Sequence, residues 1–304
     1  MIEVKDLRKH FSSGIWKKHS TKAVDGISFQ IEQGETLGLV GESGCGKTTI
    51  GRLVLRLLEP TSGKIIFDGI DLLQLKKAEL RKLRPRMQMI FQDPDASLNP
   101  RMKITDSIAE PLKLWRKMGK SELKERVSEL VETVGLNPEH LNRYPYQLSG
   151  GQNQRVVLAR VLALNPDFIV ADEPTSSLDV SVQAQILNMM QELKRELKQT
   201  LLFISHDLEV VRHISDQIAV MYRGKIVEMG NTKDVLGYGK HPYTNALVSP
   251  VVIEEDALLQ GDMKPVNASG CVFYPRCPFA AEICSKKEPE MVEVEKGHWV
   301  LCER

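Results

Sequence analysis

The sequence predicts an α/β fold built on a parallel sheet. Short apolar runs bounded by turn residues are typical of buried parallel strands, and four of them occur, at residues 35–40, 87–91, 168–171 and 201–205. Between these runs, residues 121–134 and 181–197 carry apolar side chains at helical spacing. A glycine-rich turn separates the first run from a predicted helix over about 47–58. Strands that alternate with helices favour helices packed against a parallel sheet.

Antiparallel strands are predicted on either side of this core. Ile2–Leu7 and Ile27–Ile31 are β-rich, and glycines punctuate the chain around them. Near the end of the core, Ile218–Tyr222 and Lys225–Met229 are joined through Arg223-Gly224, which favours a closing hairpin.

The character of the chain changes near residue 235. Prolines and glycines interrupt the remaining segment repeatedly, and four of the five cysteines lie in it. We therefore predict a large α/β domain over residues 1–235 and a small, cysteine-rich C-terminal accessory domain over residues 236–304.

Charge and hydropathy exclude several functional classes. Lys and Arg number 41 against 40 Asp and Glu, so the net charge of +1 provides no electrostatic footprint for nucleic acid. No apolar run approaches the roughly 18–20 residues that a membrane-spanning helix needs. The first residues, MIEVKDLRKHF, lack the apolar stretch of a secretion signal. These features predict a soluble, cytosolic protein without a nucleic-acid partner.

A phosphate-binding loop is predicted at residues 41–48, GESGCGKT, which match the pattern G-x-x-x-x-G-K-S/T between a strand and a helix. Glycines let successive N–H groups surround an anion, and the following helix directs its N-terminus at the phosphates. We expect Lys47 to contact the β- and γ-phosphates and Thr48 to hold Mg²⁺, while Cys45 contributes mainly its backbone. The predicted nucleotide contacts are Gly41, Ser43, Gly44, Cys45, Gly46, Lys47, Thr48 and Thr49.

Polar residues follow three of the predicted strands. Asp172 is placed to hold Mg²⁺ and Glu173 to polarise water, while His206 and Gln92 follow two other strands. Ligands of such sheets bind at the carboxyl ends of the strands. Each signal alone is weak, because strands often end in acids, a single His is more often structural, and a Gln after a strand is usually a solvated loop residue.

A short glycine-containing motif, LSGGQ, lies at Leu148–Gln152. Ser149 is a natural N-cap for a helix that begins near Gln152, and the two glycines allow close approach to an anion. Together with the motifs above, this segment resembles the signature of ATP-binding subunits of ABC transporters. The resemblance covers residues 1–235 and implies a RecA-like parallel-sheet core, an antiparallel β subdomain and a helical subdomain that carries the signature.

The resemblance also implies site roles. Two cassettes would pair head to tail around two ATP molecules, and Ser149, Gly150, Gly151 and Gln152 would contact the ATP of the partner. Gln92 is similar to the Q-loop residue, also a Mg²⁺ ligand, and Asp179 and His206 are similar to the D-loop and switch residues. Phe11 is the expected adenine-stacking residue, with Trp16 as its rival and ordinary strand packing as the other explanation.

A narrower resemblance is to the ATPases of oligopeptide and dipeptide importers. It rests on residues 38–46, on Phe91–Met102, FQDPDASLNPRM, and on Ala171–Val180, ADEPTSSLDV. It implies a second ATPase subunit or a second copy of this chain, two membrane permease subunits, and indirectly an extracytoplasmic peptide-binding protein. The chain would then lie peripherally on the cytoplasmic face of the membrane. Transport of another solute and a soluble, non-transport ABC ATPase remain alternatives.

One residue departs from the family pattern. Asn153 follows the signature at a position where a basic residue is common, and we expect it to tune the contact between the two cassettes.

The C-terminal cysteines have the spacing C-x5-C-x6-C-x17-C, without a C-x-x-C pair. Spacing alone leaves an iron–sulfur cluster, zinc and free thiols open. The tail also resembles the C-terminal region of oligopeptide and dipeptide importer ATPases, whose cysteine-bearing form can hold a 4Fe–4S cluster. We therefore predict a structural 4Fe–4S cluster, with zinc as the alternative, on Cys271, Cys277, Cys284 and Cys302.

Overall fold

A computed structural model describes residues 1–13, 19–116, 118–248 and 270–303. The strands are β1 (Ile2–Ser13), β2 (His19–Ile31), β3 (Thr36–Val40), β4 (Ser62–Phe67), β5 (Ile70–Asp71), β6 (Met87–Ile90), β7 (Phe168–Asp172), β8 (Thr200–Ile204), β9 (Gln217–Tyr222), β10 (Lys225–Asn231), β11 (Met291–Glu295) and β12 (His298–Leu301). The helices are α1 (Lys47–Val54), α2 (Lys77–Leu83), α3 (Pro94–Ser97), α4 (Ile104–Trp115), α5 (Lys120–Thr133), α6 (Gly150–Leu162), α7 (Val180–Leu197), α8 (Leu208–Ile214), α9 (Thr232–Tyr238) and α10 (Pro242–Val248).

These elements form two compact units that interleave along the chain. The first unit comprises Met1, Ile31–Glu35 and Gly69–Ile204, and the second comprises Ile2–Gln30, Thr36–Asp68 and Ser205–Arg304. The described C-terminal residues therefore belong to the same unit as the predicted phosphate loop. A separate domain over residues 236–304 stays a prediction.

The first unit contains three parallel strands. β7 pairs with β6 on one side and with β8 on the other, and Phe168 lies opposite both Met87 and Thr200. All side chains of β7 and β8 are buried, as expected for uninterrupted apolar runs. Helices α3, α4 and α5 pack around α6 in the same unit. The predicted apolar face of α5 is confirmed, because Val127, Leu130 and Val131 are buried.

The second unit contains a mixed sheet. β3 runs parallel to β9, and β9 forms with β10 the antiparallel hairpin that the sequence predicts. β10 then pairs with β12, and β12 with β11. Helix α8 packs closely on β3, because a Cβ at Gly38 would lie 2.4 Å from Cγ1 of Val211. In a separate sheet, β1 lies between β2 and β4 and runs antiparallel to β4.

Two local features differ from the prediction. Helix α1 ends at Val54 instead of near Leu58, because Arg56 adopts a left-handed conformation with φ of +49° that breaks the helix. β11 and β12 lie in the C-terminal segment that prolines and glycines interrupt, where no strand was predicted. Within the described ranges, no helix combines the length and apolar character needed to cross a membrane.

A buried polar cluster joins the C-terminal elements to β10. The carboxylate of Glu228, which is fully buried, accepts hydrogen bonds from the backbone N–H groups of Lys240 at 2.7 Å and His241 at 2.9 Å. Nε2 of His298, also buried, lies 2.7 Å from the same carboxylate. Nδ1 of His241 accepts a hydrogen bond from the backbone N–H of Tyr243 at 3.1 Å. His298 is thus a structural residue of the second unit.

Mild acid is expected to destabilise this unit through His241. Burial lowers the pKa of His241 from 6.5 to about 4, and the neighbouring Glu228 offsets this only in part. Between these pH values the unfolded chain binds a proton that the folded chain does not. Stability therefore falls as the pH drops through this window, by on the order of 3 kcal/mol by the time the pH reaches the folded-state pKa.

Urea denaturation of the native chain at several pH values from 7 to 4.5 tests this expectation. The variant His241→Asn keeps an acceptor for the N–H of Tyr243 but cannot titrate, so its stability should depend less on pH. An unchanged pH dependence in this variant would show that another group dominates the acid response.

Candidate active site

The phosphate loop joins β3 to α1 in the second unit. Gly46, the residue before α1, has φ of +113°, and a Cβ there would lie 2.2 Å from the carbonyl oxygen of Ala23. Gly44 has φ of +77° and faces open space, since a Cβ there would meet nothing within 4 Å. The loop is therefore a glycine-dependent turn with free volume beside it, at the N-terminus of a helix. This arrangement fits a phosphate group.

Lys47 begins α1 and is buried, with 5% of its surface exposed. Its Nζ donates hydrogen bonds to the carbonyl oxygens of Gly41 at 2.7 Å and Glu42 at 3.0 Å. Both acceptors are neutral, so the charge of the ammonium is held at the loop without being cancelled by them. Burial raises the pKa of the Cys45 thiol, which agrees with Cys45 contributing its backbone. Thr48 lies in the first turn of α1, where its hydroxyl suits Mg²⁺ ligation.

The carboxylates predicted for hydrolysis lie in the first unit. Asp172 ends β7 and is buried, and Glu173 follows with φ of +48°, in the left-handed region. A non-glycine residue in this region costs on the order of 1–3 kcal/mol and is typical of functional sites. The backbone N–H of Glu173 donates to the carbonyl oxygen of Ile204 at 2.9 Å, which holds the strained turn.

The structure brings Gln92 and Glu173 together. Nε2 of Gln92 donates a hydrogen bond to Oε2 of Glu173 at 3.1 Å. This contact follows from the parallel pairing of β6 with β7, in which Ile90 lies opposite Ala171. The loop residue after β6 and the acid after β7 therefore emerge at the same edge, as the sequence led us to expect.

The signature segment caps α6. Oγ of Ser149 accepts from the backbone N–H of Gln152 at 3.4 Å, and Oε1 of Gln152 accepts from the N–H of Ser149 at 2.9 Å. Ser149 and Gly150 are exposed. Gly151 is buried, and a Cβ there would lie 2.4 Å from Cγ1 of Val182 in α7. The N-cap role predicted for Ser149 is confirmed, whereas the second glycine makes room for a neighbouring helix.

Two residues near the signature behave in ways that the sequence does not predict. Nε2 of Gln152 donates to Nε2 of His140 at 2.9 Å, a contact for which no local motif gives a signal. Asn153 is buried, and its Nδ2 donates to Oδ1 of Asp95 at 2.6 Å and to the carbonyl oxygen of Pro145 at 3.1 Å. The predicted influence of Asn153 on a dimer contact stays a prediction, and its buried side chain would act indirectly, through the residues that it contacts.

The other predicted contacts lie at exposed positions. Asp179 is the N-cap of α7, where its carboxylate accepts from the N–H of Val182 at 3.0 Å. His206 is exposed, two residues beyond the end of β8. The ring of Phe11 is 41% exposed, and Nζ of Lys9 lies 5.1 Å from its centroid. Its predicted adenine contact stays a prediction, and its rival Trp16 lies outside the described residues.

The predicted iron–sulfur cluster is wrong, and so is the zinc alternative. Within residues 1–13, 19–116, 118–248 and 270–303, no group of three or more His, Cys, Asp and Glu residues is arranged to hold a metal ion. The reason is geometric, since clustering of the cysteines along the sequence does not place three of them in the arrangement that a metal ion needs. The C-terminal cysteines are free and line one small cavity together with Phe273: Cys271, Cys277, Cys284 and Cys302.

A glycine-rich phosphate loop ahead of a helix, with acids at the ends of strands elsewhere in the chain, is typical of a P-loop nucleoside triphosphatase of the α/β class. Residues 24–176 match the ABC transporter family, and residues 227–284 match the family described as the oligopeptide/dipeptide transporter C-terminal region. The chain belongs to the ABC transporter family and is an ATPase of that class.

Similar proteins span the whole chain. The oligopeptide transport ATP-binding protein AppF of Bacillus subtilis is 47% identical over 99% of this chain and 96% of its own length. The oligopeptide transport ATP-binding protein OppF of Escherichia coli is 47% identical over 99% of this chain and 95% of its own length. Among solved structures, the dimeric ATP-binding cassette MJ0796 bound to ADP and phosphate is 30% identical, with a TM-score of 0.70. It covers 76% of this chain and 99% of its own, which confirms the cassette fold.

Proposed function

We propose that this chain hydrolyses ATP to power the uptake of di- and oligopeptides through an ABC importer. The observation that carries the proposal is the combination of two matches in one chain. A cassette with its Gln92–Glu173 contact is followed by a C-terminal region of the oligopeptide and dipeptide transporter type. Full-length relatives are named for oligopeptide transport, which supports the same substrate class.

The phosphate loop binds the nucleotide in this proposal. Its N–H groups surround the phosphates, and Lys47, which the carbonyl oxygens of Gly41 and Glu42 hold in place, supplies a positive charge. By resemblance to the family, Thr48, Asp172 and Gln92 would be the ligands of Mg²⁺. Mg²⁺ when bound neutralises charge on the β- and γ-phosphates.

Glu173 is the group proposed to orient and deprotonate the attacking water. The left-handed backbone of Glu173 sets where its side chain leaves the end of β7, and the hydrogen bond from Gln92 orients the carboxylate, as a positioned base requires. Because Gln92 contacts Glu173 directly, movement of the loop after β6 would also move this carboxylate. We propose that this connection couples hydrolysis to transport, with His206 and Asp179 as further members of the site.

The proposed assembly is a head-to-tail pair of cassettes under two membrane permease subunits, at the cytoplasmic face of the membrane. The second cassette is a different ATPase subunit or a second copy of this chain. The exposed residues Ser149 and Gly150 would face the nucleotide of the partner. An extracytoplasmic peptide-binding protein would deliver the substrate to the permeases.

Reconstitution tests the proposal. The chain is co-purified from membranes with its partners, which are identified by mass, and ATP hydrolysis by the complex in vesicles is measured with and without peptides. We expect di- or oligopeptides with their binding protein to stimulate hydrolysis, and the Lys47→Ala variant to abolish both hydrolysis and uptake. Hydrolysis that responds to another solute but to no peptide would overturn the substrate class while leaving the ATPase assignment intact.

A further inference from the structure

The C-terminal region contacts the phosphate loop directly. Nη1 of Arg276 donates to Oε2 of Glu42 at 3.0 Å, and Nη2 of Arg276 donates to Oε1 of Glu42 at 2.9 Å. Glu42 follows Gly41 directly and occupies the first x position of the pattern G-x-x-x-x-G-K-S/T. A bidentate pair of this kind is among the strongest hydrogen-bonded contacts that two side chains form. Residues 234 positions apart in the sequence are thereby joined at the proposed nucleotide site.

A second contact from the C-terminal region meets the same residue. The hydroxyl oxygen of Tyr243 accepts a hydrogen bond from the backbone N–H of Glu42 at 3.0 Å. Tyr243 is buried, and burial raises the pKa of its phenol, so the hydroxyl stays neutral. The carbonyl oxygen of Glu42 accepts in turn from Nζ of Lys47 at 3.0 Å. The N–H, the carbonyl and the carboxylate of Glu42 are therefore all engaged.

Aromatic packing fixes the position of Arg276. Its guanidinium carbon lies 5.5 Å from the ring centroid of Tyr222 and 5.9 Å from that of Phe273. The ring of Tyr222 in turn meets Phe273 edge-on at 5.2 Å and Tyr243 at 4.7 Å. The side chain of Arg276 is 16% exposed, so this cation is held in place by its surroundings and is not a mobile surface charge.

The position of Glu42 creates an electrostatic difficulty. A carboxylate inside a loop that binds polyphosphate repels its ligand unless a cation neutralises it. We propose that Arg276 is a positioning residue for ATP binding, which acts through Glu42 by neutralising and orienting its carboxylate. Tyr243 holds the backbone of the same residue. The C-terminal region thereby sets the affinity of the loop for ATP. This inference rests on the proposed role of the phosphate loop.

ATP affinity of the full-length chain, measured by titration calorimetry with Mg²⁺ present, tests the inference. We expect Arg276→Gln to weaken ATP binding by at least about fivefold, the low end of coupling between distinct sites. The double variant Glu42→Gln, Arg276→Gln should recover most of that loss, because the uncompensated negative charge is gone. Glu42→Gln alone should bind ATP at least as tightly as the native chain. In the assembled transporter, Arg276→Gln should raise the KM for ATP more than it lowers kcat.

The matched control is Lys240→Gln, which breaks an ion pair with Glu295 at 3.0 Å in the same unit without touching the loop. It should leave ATP affinity unchanged. Native affinity in Arg276→Gln, or no recovery in the double variant, would overturn the inference. If Arg276→Gln does not fold, the Glu42→Gln variant still tests the inference. Weaker ATP binding by Glu42→Gln than by the native chain would overturn it. Failure of the loop assignment itself would appear separately, as unchanged ATP binding in Lys47→Ala.

Discussion

Replacing Glu173 with Gln is expected to leave ATP binding intact and to reduce hydrolysis by at least ~100-fold, the low end for the loss of a general base. The amide has the shape of the carboxylate and can still accept the hydrogen bond from Nε2 of Gln92. The amide cannot accept a proton from water, so the variant should be slow in the hydrolysis step itself and not in ATP binding. Hydrolysis is measured in the assembled transporter under saturating ATP, and binding is measured on the chain alone.

Glu196→Gln is the matched control for this variant, because Glu196 is exposed near the end of α7 in the same unit. It removes one negative charge without touching the Gln92–Glu173 contact and should hydrolyse ATP at the native rate. Native turnover in Glu173→Gln would show that another group activates the water. Loss of ATP binding in that variant would show that Glu173 supports the nucleotide site instead of the chemistry.

The parallel strands of the fold could be predicted because uninterrupted apolar runs have few alternatives to burial in a sheet. The strands that begin at Met87 and Phe168 start at the predicted residues. The end of α1 could not be predicted, since it depends on the left-handed backbone of Arg56, for which a leucine-rich helical pattern gives no signal. β12 pairs with β11 across a short turn and also with β10, some 70 residues earlier, and the pairing with β10 leaves no local signal in the sequence.

In the candidate site, too, the features set by local sequence could be predicted and those set by distant contacts could not. Loop glycines, Lys47 and the acids after β7 are set by local sequence, because a motif fixes their spacing. The partners that hold them are not local: Arg276 reaches Glu42 through the tertiary fold, and the strain at Glu173 is a backbone property. Glu42 itself was a usable signal in the sequence. An acid inside a phosphate loop predicts that a cation from elsewhere in the chain neutralises it.

The cysteine tail shows how a correct local inference leads to a wrong chemical one. Clustering along the sequence does bring the cysteines together, and all four line one cavity. Proximity alone does not create a metal site, because ligation needs thiolates and suitable geometry. In this cavity the four cysteines are free, and their neighbours include the aromatic side chains of Phe273 and Phe279.

Replacing Ser149 with Arg is expected to impair ATP-driven dimerisation and to reduce hydrolysis by the assembled transporter by at least ~10-fold. ATP binding to the isolated chain should be largely unchanged. Ser149 is exposed at the N-terminus of α6, where a long cationic side chain would occupy the surface proposed to meet the partner's nucleotide. Loss of the cap itself costs only about 1 kcal/mol, too little to unfold the unit.

Two further variants separate the surface effect from the cap effect. Ser149→Ala removes the cap but leaves the surface open, so it should retain more activity than Ser149→Arg. Asn137→Ala removes another N-cap in the same unit, where Oδ1 accepts from the N–H of Glu139 at 2.9 Å, and should hydrolyse ATP normally. A large fall in ATP affinity of the isolated Ser149→Arg chain would show that the signature serves the nucleotide of its own chain. The head-to-tail arrangement would then be wrong.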